Sequence, residues 1–184
     1  MRHILCFALF IVSFASLANA PKPLYQIDLI VFAQQSSSQE SNDHELSPII
    51  AAESPKAIKL KPFNGTVAPY RLLPQGTSTL RSELWSLKHN GDFKILANYS
   101  WLQPANNQRP IVLPNVDQDG WNIEGTVRVR ESNYFILDTD LLFSAPHNTD
   151  TSFVFSQKHR LLNDKLYYLD HPQAGMLIKI HKLT

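Results

Sequence analysis

Tyr25 to Ala33 (YQIDLIVFA) is apolar on both faces of an extended chain. Tyr25, Ile27, Leu29 and Val31 share one side, and Ile30 and Phe32 lie on the other. Such a run predicts a central strand covered on each side. Gln34 to Gly76 carries no comparable period. It opens with QQSSSQESNDHE and is broken by Pro48, Pro55, Pro62, Pro69 and Pro74. Proline ends helices and ladders, so the stretch reads as a long variable loop, of a length that compact domains reserve for functional or disordered segments. From Thr79 to Asn90 the period becomes helical. Leu80, Leu84 and Leu87 fall at i, i+4 and i+7; Thr79 is placed to cap the start and Gly91 supplies the stop. Ser82, Lys88 and His89 are expected to face water, and Trp85, beside the leucine stripe, to pack in the core or at its rim.

Past Gly91 the period is two. Phe93 to Leu102 puts Phe93, Ile95, Ala97, Tyr99 and Trp101 on one face. Trp121 to Arg130 sets Ile123, Gly125, Val127 and Val129 against Glu124, Thr126, Arg128 and Arg130, the pattern of a strand with one wet side. Asn133 to Ser144 directs Phe135, Leu137, Leu141 and Phe143 inward, and Glu131-Ser132-Asn133 is short enough to join the two strands as a hairpin. Phe153 to Leu161 and Lys165 to Leu169 flank Asn163-Asp164, which predicts a further hairpin. Gly175 to Ile180 reads as a closing strand. The expected fold is α+β: a single domain, mostly antiparallel sheet, with one main helix (about Thr79–Asn90) packed on it.

The N-terminus has another character. Arg2 and His3 precede an apolar run from Ile4 to Leu17, and Ala18-Asn19-Ala20 has the small-x-small form of a cleavage site. The run of about 14 residues is too short to span a bilayer unaided. Residues 1–20 are therefore expected to be an export signal cut after Ala20, leaving a domain over 21–184 with no membrane span. The sole cysteine, Cys6, leaves with the signal, so no disulfide or cysteine-held metal is expected afterwards. Losing Arg2 leaves 16 Lys+Arg against 16 Asp+Glu. A neutral balance argues against nucleic acid as a partner and supplies no polybasic membrane patch.

Candidate chemistry concentrates in Tyr167-Tyr168-Leu169-Asp170-His171-Pro172. Asp170 beside His171 invites an acid–base reading, but no nucleophile elbow, P-loop, zinc signature or glycine-rich cofactor loop accompanies it. The plainer reading is a turn, in which the Asp170 side chain bonds the backbone two residues on, Pro172 fixes φ and Gly175 follows. His159, His171 and His181 have no compact metal-ligand spacing. Asp138 and Asp140 share a strand face, where a solvated surface is the default over glycoside chemistry. A hydrolase built on Asp138, Asp140, Asp170 and His171 is the weakest of the functional readings. Neither a cofactor nor a metal is expected, and no catalytic residue is assigned.

Four motifs in this order carry a family resemblance: Tyr25-Gln26-Ile27-Asp28-Leu29-Ile30-Val31-Phe32; Trp101-Leu102-Gln103-Pro104; Gly125, Val127 and Val129 leading into alternating aspartates; and Tyr168-Leu169-Asp170-His171-Pro172-Gln173-Ala174-Gly175. Together they resemble CsiV, a family of small periplasmic proteins, over most of the chain outside the loop from about Gln34 to Gly76. The resemblance implies a periplasmic, non-enzymatic peptidoglycan-binding protein that supports cell-wall synthesis through an outer-membrane lipoprotein activating a class A penicillin-binding protein. The chain departs from the family at Tyr167, where a histidine is expected, and over Gln157 to Arg160, which is poorer in arginine. Peptidoglycan offers sugar faces to aromatic rings and carboxylates to guanidinium groups. The expected contact residues are Trp101, Trp121, Arg128, Arg130, Tyr168 and His171. A protein–protein adaptor without glycan affinity, recognising its partner through the long loop, is the alternative.

Overall fold

The computed structural model describes residues 23–34, 56–145 and 152–183. The expected export signal and the first part of the long loop lie outside the described residues. β1 (Leu24–Gln34) is buried along nearly its whole length and sits between β3 (Phe93–Pro104) and β10 (Ala174–Lys182), both antiparallel to it. β9 (Leu166–His171) pairs with β10 and completes a four-stranded sheet of order β3-β1-β10-β9. A second, six-stranded sheet runs β2 (Ile58–Lys59), β4 (Ile111–Val112), β6 (Trp121–Glu131), β7 (Phe135–Ser144), β8 (Ser152–Leu161), with β5 (Val116–Gln118) also paired to β6. The β2–β4 pair is parallel and the other ladders are antiparallel.

The two sheets pack face to face. One apolar cluster takes Tyr25, Ile27, Leu29 and Val31 from β1, Val127 and Val129 from β6, Leu137, Leu141 and Phe143 from β7, and Ile178 and Ile180 from β10. The second face of β1 bears Ile30 and Phe32, which meet Leu80, Leu84 and Leu87 at the helix α1 (Arg81–His89). The fold is thus the α+β arrangement expected, layered helix, sheet, sheet.

Four local expectations need correction. Thr79 does not cap α1: the N-cap is Leu80, with no side-chain cap, and Thr79 is turned toward the sheet. Its hydroxyl and its N–H both donate to Oδ2 of Asp28, at 2.6 and 3.1 Å. Asp28 is fully buried and also accepts from Ser100 Oγ and from Gln26 Nε2. Secondly, the strand over Phe93–Leu102 does not keep one apolar face. The register with β1 slips between Val31 and Phe32, leaving Leu96 as the extra residue of a bulge. The slip turns Phe93 and Ile95 to the helix side, while Ala97 and Trp101 belong to the core between the sheets. Thirdly, β8 and β9 form no hairpin. Asn163-Asp164 is a turn, with Asp164 at φ 60°, but β8 pairs with β7 and β9 with β10. The turn therefore passes the chain from one sheet to the other. Trp85, expected in the core or at its rim, is 63% exposed.

Two substitutions probe this frame. Asp28→Ala strips the acceptor from buried donors, a loss of about 1–3 kcal/mol, and Asp28→Asn, which keeps one acceptor oxygen, costs less; urea denaturation of both variants measures the difference. At Gly125 (φ 140°) a Cβ would lie 2.1 Å from the Asp140 carbonyl oxygen. Gly125→Ala is expected to destabilise by about 3 kcal/mol, combining overpacking with a positive-φ penalty, read from the same unfolding curves.

Candidate functional site

The outward side chains of β6, β7 and β8 align in rows set by the ladder register. Arg128, Asp138 and Lys158 form one row, and Arg130, Ile136 and Arg160 the next. Asp138 Oδ2 accepts from Arg128 Nε at 3.0 Å and from Arg130 Nη2 at 2.9 Å; Lys158 Nζ stands 4.0 Å from Oδ1. The Arg160 guanidinium lies 4.3 Å from the centre of the Tyr134 ring. Four cations thus share two rows with one carboxylate. Strand alternation, which sends every second residue to water, places these side chains together on the outer face. Asp138 holds both arginines side by side, so part of the entropy of ordering long side chains is already met before a ligand arrives. Asp140, on the same face, accepts from Ser156 Oγ at 2.7 Å.

Tyr168, Asp170 and His171 sit elsewhere, at the tight turn Pro172-Gln173 between β9 and β10. Tyr168 lies on the helix side of the first sheet, 52% exposed and stacked against Phe32 with ring centres 6.1 Å apart. Gly175 makes room for this, since a Cβ there would lie 2.4 Å from the Phe32 ring. The Tyr168 hydroxyl donates to Asp170 Oδ1; burial first and that carboxylate second push its pKa up to about 12. Asp170 also accepts from Gln34 Nε2, at 3.2 Å. The bond to the backbone two residues on, expected of Asp170, has no donor because Pro172 lacks an N–H; His171 makes it one residue later, its Nδ1 accepting from the Gln173 N–H at 3.2 Å. The imidazole stacks on Phe153 of β8 at 4.5 Å, and burial lowers its pKa against the opposing pull of Asp170.

The six expected contact residues are therefore not one site. Trp101 is sealed in the core at 0% exposure and leaves the set of surface candidates. Trp121, half-buried, follows a turn in which Asp119 and Gly120 both have positive φ. Arg128 and Arg130 occupy the outer face of one sheet and Tyr168 the helix side of the other. Asp138 and Asp140 share that outer face and do not meet the Asp170–His171 turn. His159 bonds Gln157 and His181 pairs with Asp164. Among the described residues no three metal-competent side chains gather.

One feature was missed by sequence reasoning. A cleft of about 340 Å³ opens where the β6–β7 hairpin loop meets the β8–β9 crossover, lined in part by Tyr25, Glu131, Asn133, Tyr134, Asn163 and Lys182. The Tyr25 hydroxyl donates to Glu131 Oε1. Burial first, and Glu131 second, raise the Tyr25 pKa to about 12, so the phenol remains a donor at neutral pH. The turn residues at 131–133 and 163–164 were visible as turns; nothing local says that the two turns meet.

Because His171 is folded with a lowered pKa, the unfolded chain binds its proton more readily. Stability from this site is present above the ordinary histidine value of 6.5 and is lost as pH falls below it. His171→Phe, which keeps a ring on Phe153 and removes the proton site, should show a smaller drop in urea midpoint between pH 7.5 and pH 5.5 than the wild type.

No helix among the described residues is long and apolar enough to cross a membrane. No curated protein and no solved structure matches the chain. One family model does, described as "Peptidoglycan-binding protein, CsiV", over residues 3–183. With nearly the whole chain matched, this sandwich with its arginine-bearing outer face belongs to the CsiV family of peptidoglycan-binding proteins.

Proposed function

We propose that the chain is a periplasmic, non-enzymatic accessory protein of cell-wall synthesis, exported by its N-terminal signal, and that the outer face of β6, β7 and β8 is where it contacts peptidoglycan. The observation that carries the reading is the pair Arg128 and Arg130, aligned by Asp138, with Lys158 and Arg160 beside them. Guanidinium groups match carboxylates in fork geometry, and the peptide stems of peptidoglycan carry carboxylates. A flat sheet face suits a polymer lying across it better than a deep pocket would. Support of synthesis through a lipoprotein activator of a class A penicillin-binding protein is the role implied by the family resemblance. The non-enzymatic reading draws on the dispersal of Asp138, Asp140, Asp170 and His171 over separate surfaces.

Co-sedimentation of the purified mature protein with isolated sacculi tests this. Two exposed charge-assisted contacts are together worth about 1.4 kcal/mol, so Arg128→Gln/Arg130→Gln should raise the apparent Kd about tenfold. Wild-type retention should also weaken as salt rises. Equal retention of the double variant removes this face from the site. Release of soluble muropeptides by the pure protein would overturn the non-enzymatic part.

A further inference from the structure

The cleft at the end of the sandwich is a second site, adjoining the arginine face through Tyr134, on whose ring Arg160 lies. Its walls come from four chain segments: Tyr25 of β1, the β6–β7 loop, the β8–β9 crossover and Lys182 of β10. Tyr25 and Lys182 are direct partners in the β1–β10 ladder, so their side chains leave the sheet on the same side. Glu131 is oriented by the Tyr25 hydroxyl on Oε1, which leaves Oε2 for a ligand. Glu131 and Lys182 do not pair with each other, and among the described residues neither has another ion-pair partner. An unneutralised carboxylate and an unneutralised ammonium thus line one cavity whose volume falls in the range of small-ligand clefts, about 300–1,000 Å³.

We propose that this cleft binds a zwitterionic amino-acid centre, its ammonium on Glu131 and its carboxylate on Lys182, as presented by the free amino and carboxyl groups of the diamino-acid residue in a peptidoglycan stem peptide. The inference rests on the peptidoglycan reading and adds which part of the polymer is recognised. A ligand of one sign leaves the opposite wall charge unpaired, which is how the cleft discriminates. Asn133 supplies an amide donor and acceptor for the adjoining peptide bond, whereas Asn163 braces the wall, its Oδ1 accepting from the Lys182 N–H at 3.0 Å and its Nδ2 donating to Asp164. The arginine face, by contrast, takes any carboxylate.

Calorimetric titration decides the matter with three probes: a soluble muropeptide bearing the free amine, the same muropeptide N-acetylated at that amine, and glycan strands stripped of peptide. The wild type should bind the first at least tenfold more tightly than the second, and should show no cleft-dependent binding of the third. Glu131→Gln, which still accepts from Tyr25, should lose that preference; Lys182→Gln, at an exposed position, should keep it but bind both muropeptides about tenfold more weakly; Arg128→Gln/Arg130→Gln should keep it. Equal wild-type affinity for the amine and its acetylated form, a preference unchanged in Glu131→Gln, or an affinity unchanged in Lys182→Gln overturns the cleft assignment. If sacculi still retain the wild type in that case, only the cleft assignment falls; if sacculi never retain it, the peptidoglycan reading falls first. Unchanged circular dichroism and melting temperature of the variants separate loss of contact from loss of fold.

Discussion

A carboxylate with no cation beside it among the described residues lies at the centre of the first sheet. Asp28 is tolerated there because neutral donors from separate parts of the chain converge on it: Gln26 on its own strand, Ser100 on β3 and Thr79 ahead of α1. A buried charge without such donors would cost far more than the fold can spare. Gln26 extends the arrangement, donating to the Thr77 carbonyl at 2.9 Å. The same strand face that is polar at Gln26 and Asp28 is apolar at Ile30 and Phe32, where α1 docks. Polar anchoring at one end and apolar packing at the other set where the helix lies, and with it the outer layer of the molecule.

The opposite face of β1 has a simpler task. It is apolar throughout and binds the first sheet to the second, so β1 carries both the sandwich core and the helix layer. With both of its faces and both of its edges occupied, β1 reaches a ligand surface only at its end, where Tyr25 lines the cleft. Binding chemistry is displaced to the periphery: the outer face of β6–β8, the β9–β10 turn, and the end of the sandwich where loops from both sheets meet. The crossover at Asn163-Asp164 matters most for the last of these. By passing from one sheet to the other it brings Asn163 up to the β6–β7 loop, while the Asp164 N–H bonds the Ile180 carbonyl at 2.8 Å and fastens the crossover to β10.

The charged groups follow the same division of labour. Asp138 orders Arg128 and Arg130 without cancelling their two rows, where it is one carboxylate among four cations; Asp140 lies in the next row, bonded by Ser156. Glu131 and Lys182 remain apart across a cavity. On the proposed reading, one surface is open to any carboxylate and the other selects for two charges of opposite sign at once. On that reading, breadth comes from the sheet and selectivity from the cleft.

Periodicity alone determined much of this protein. The double-sided apolar run of β1, the leucine spacing of α1 and the in–out alternation of β6 and β7 are local properties, since a side chain's face follows from the strand or helix it belongs to. Arg128, Arg130, Asp138 and Asp140 could accordingly be placed on one wet face before any coordinates were considered. What only the tertiary structure decided is pairing between distant segments. The bulge at Leu96 reverses the facing of Phe93 and Ile95 because β3 must follow the register of β1, which no window around Phe93 contains. Trp101 looks like a strand-end aromatic until the second sheet closes over it. Asn163-Asp164 looks like a hairpin because a turn's local chemistry is the same whether its flanking strands pair or part. The end cleft needs two such turns to meet, and turn residues carry no information about what lies across from them.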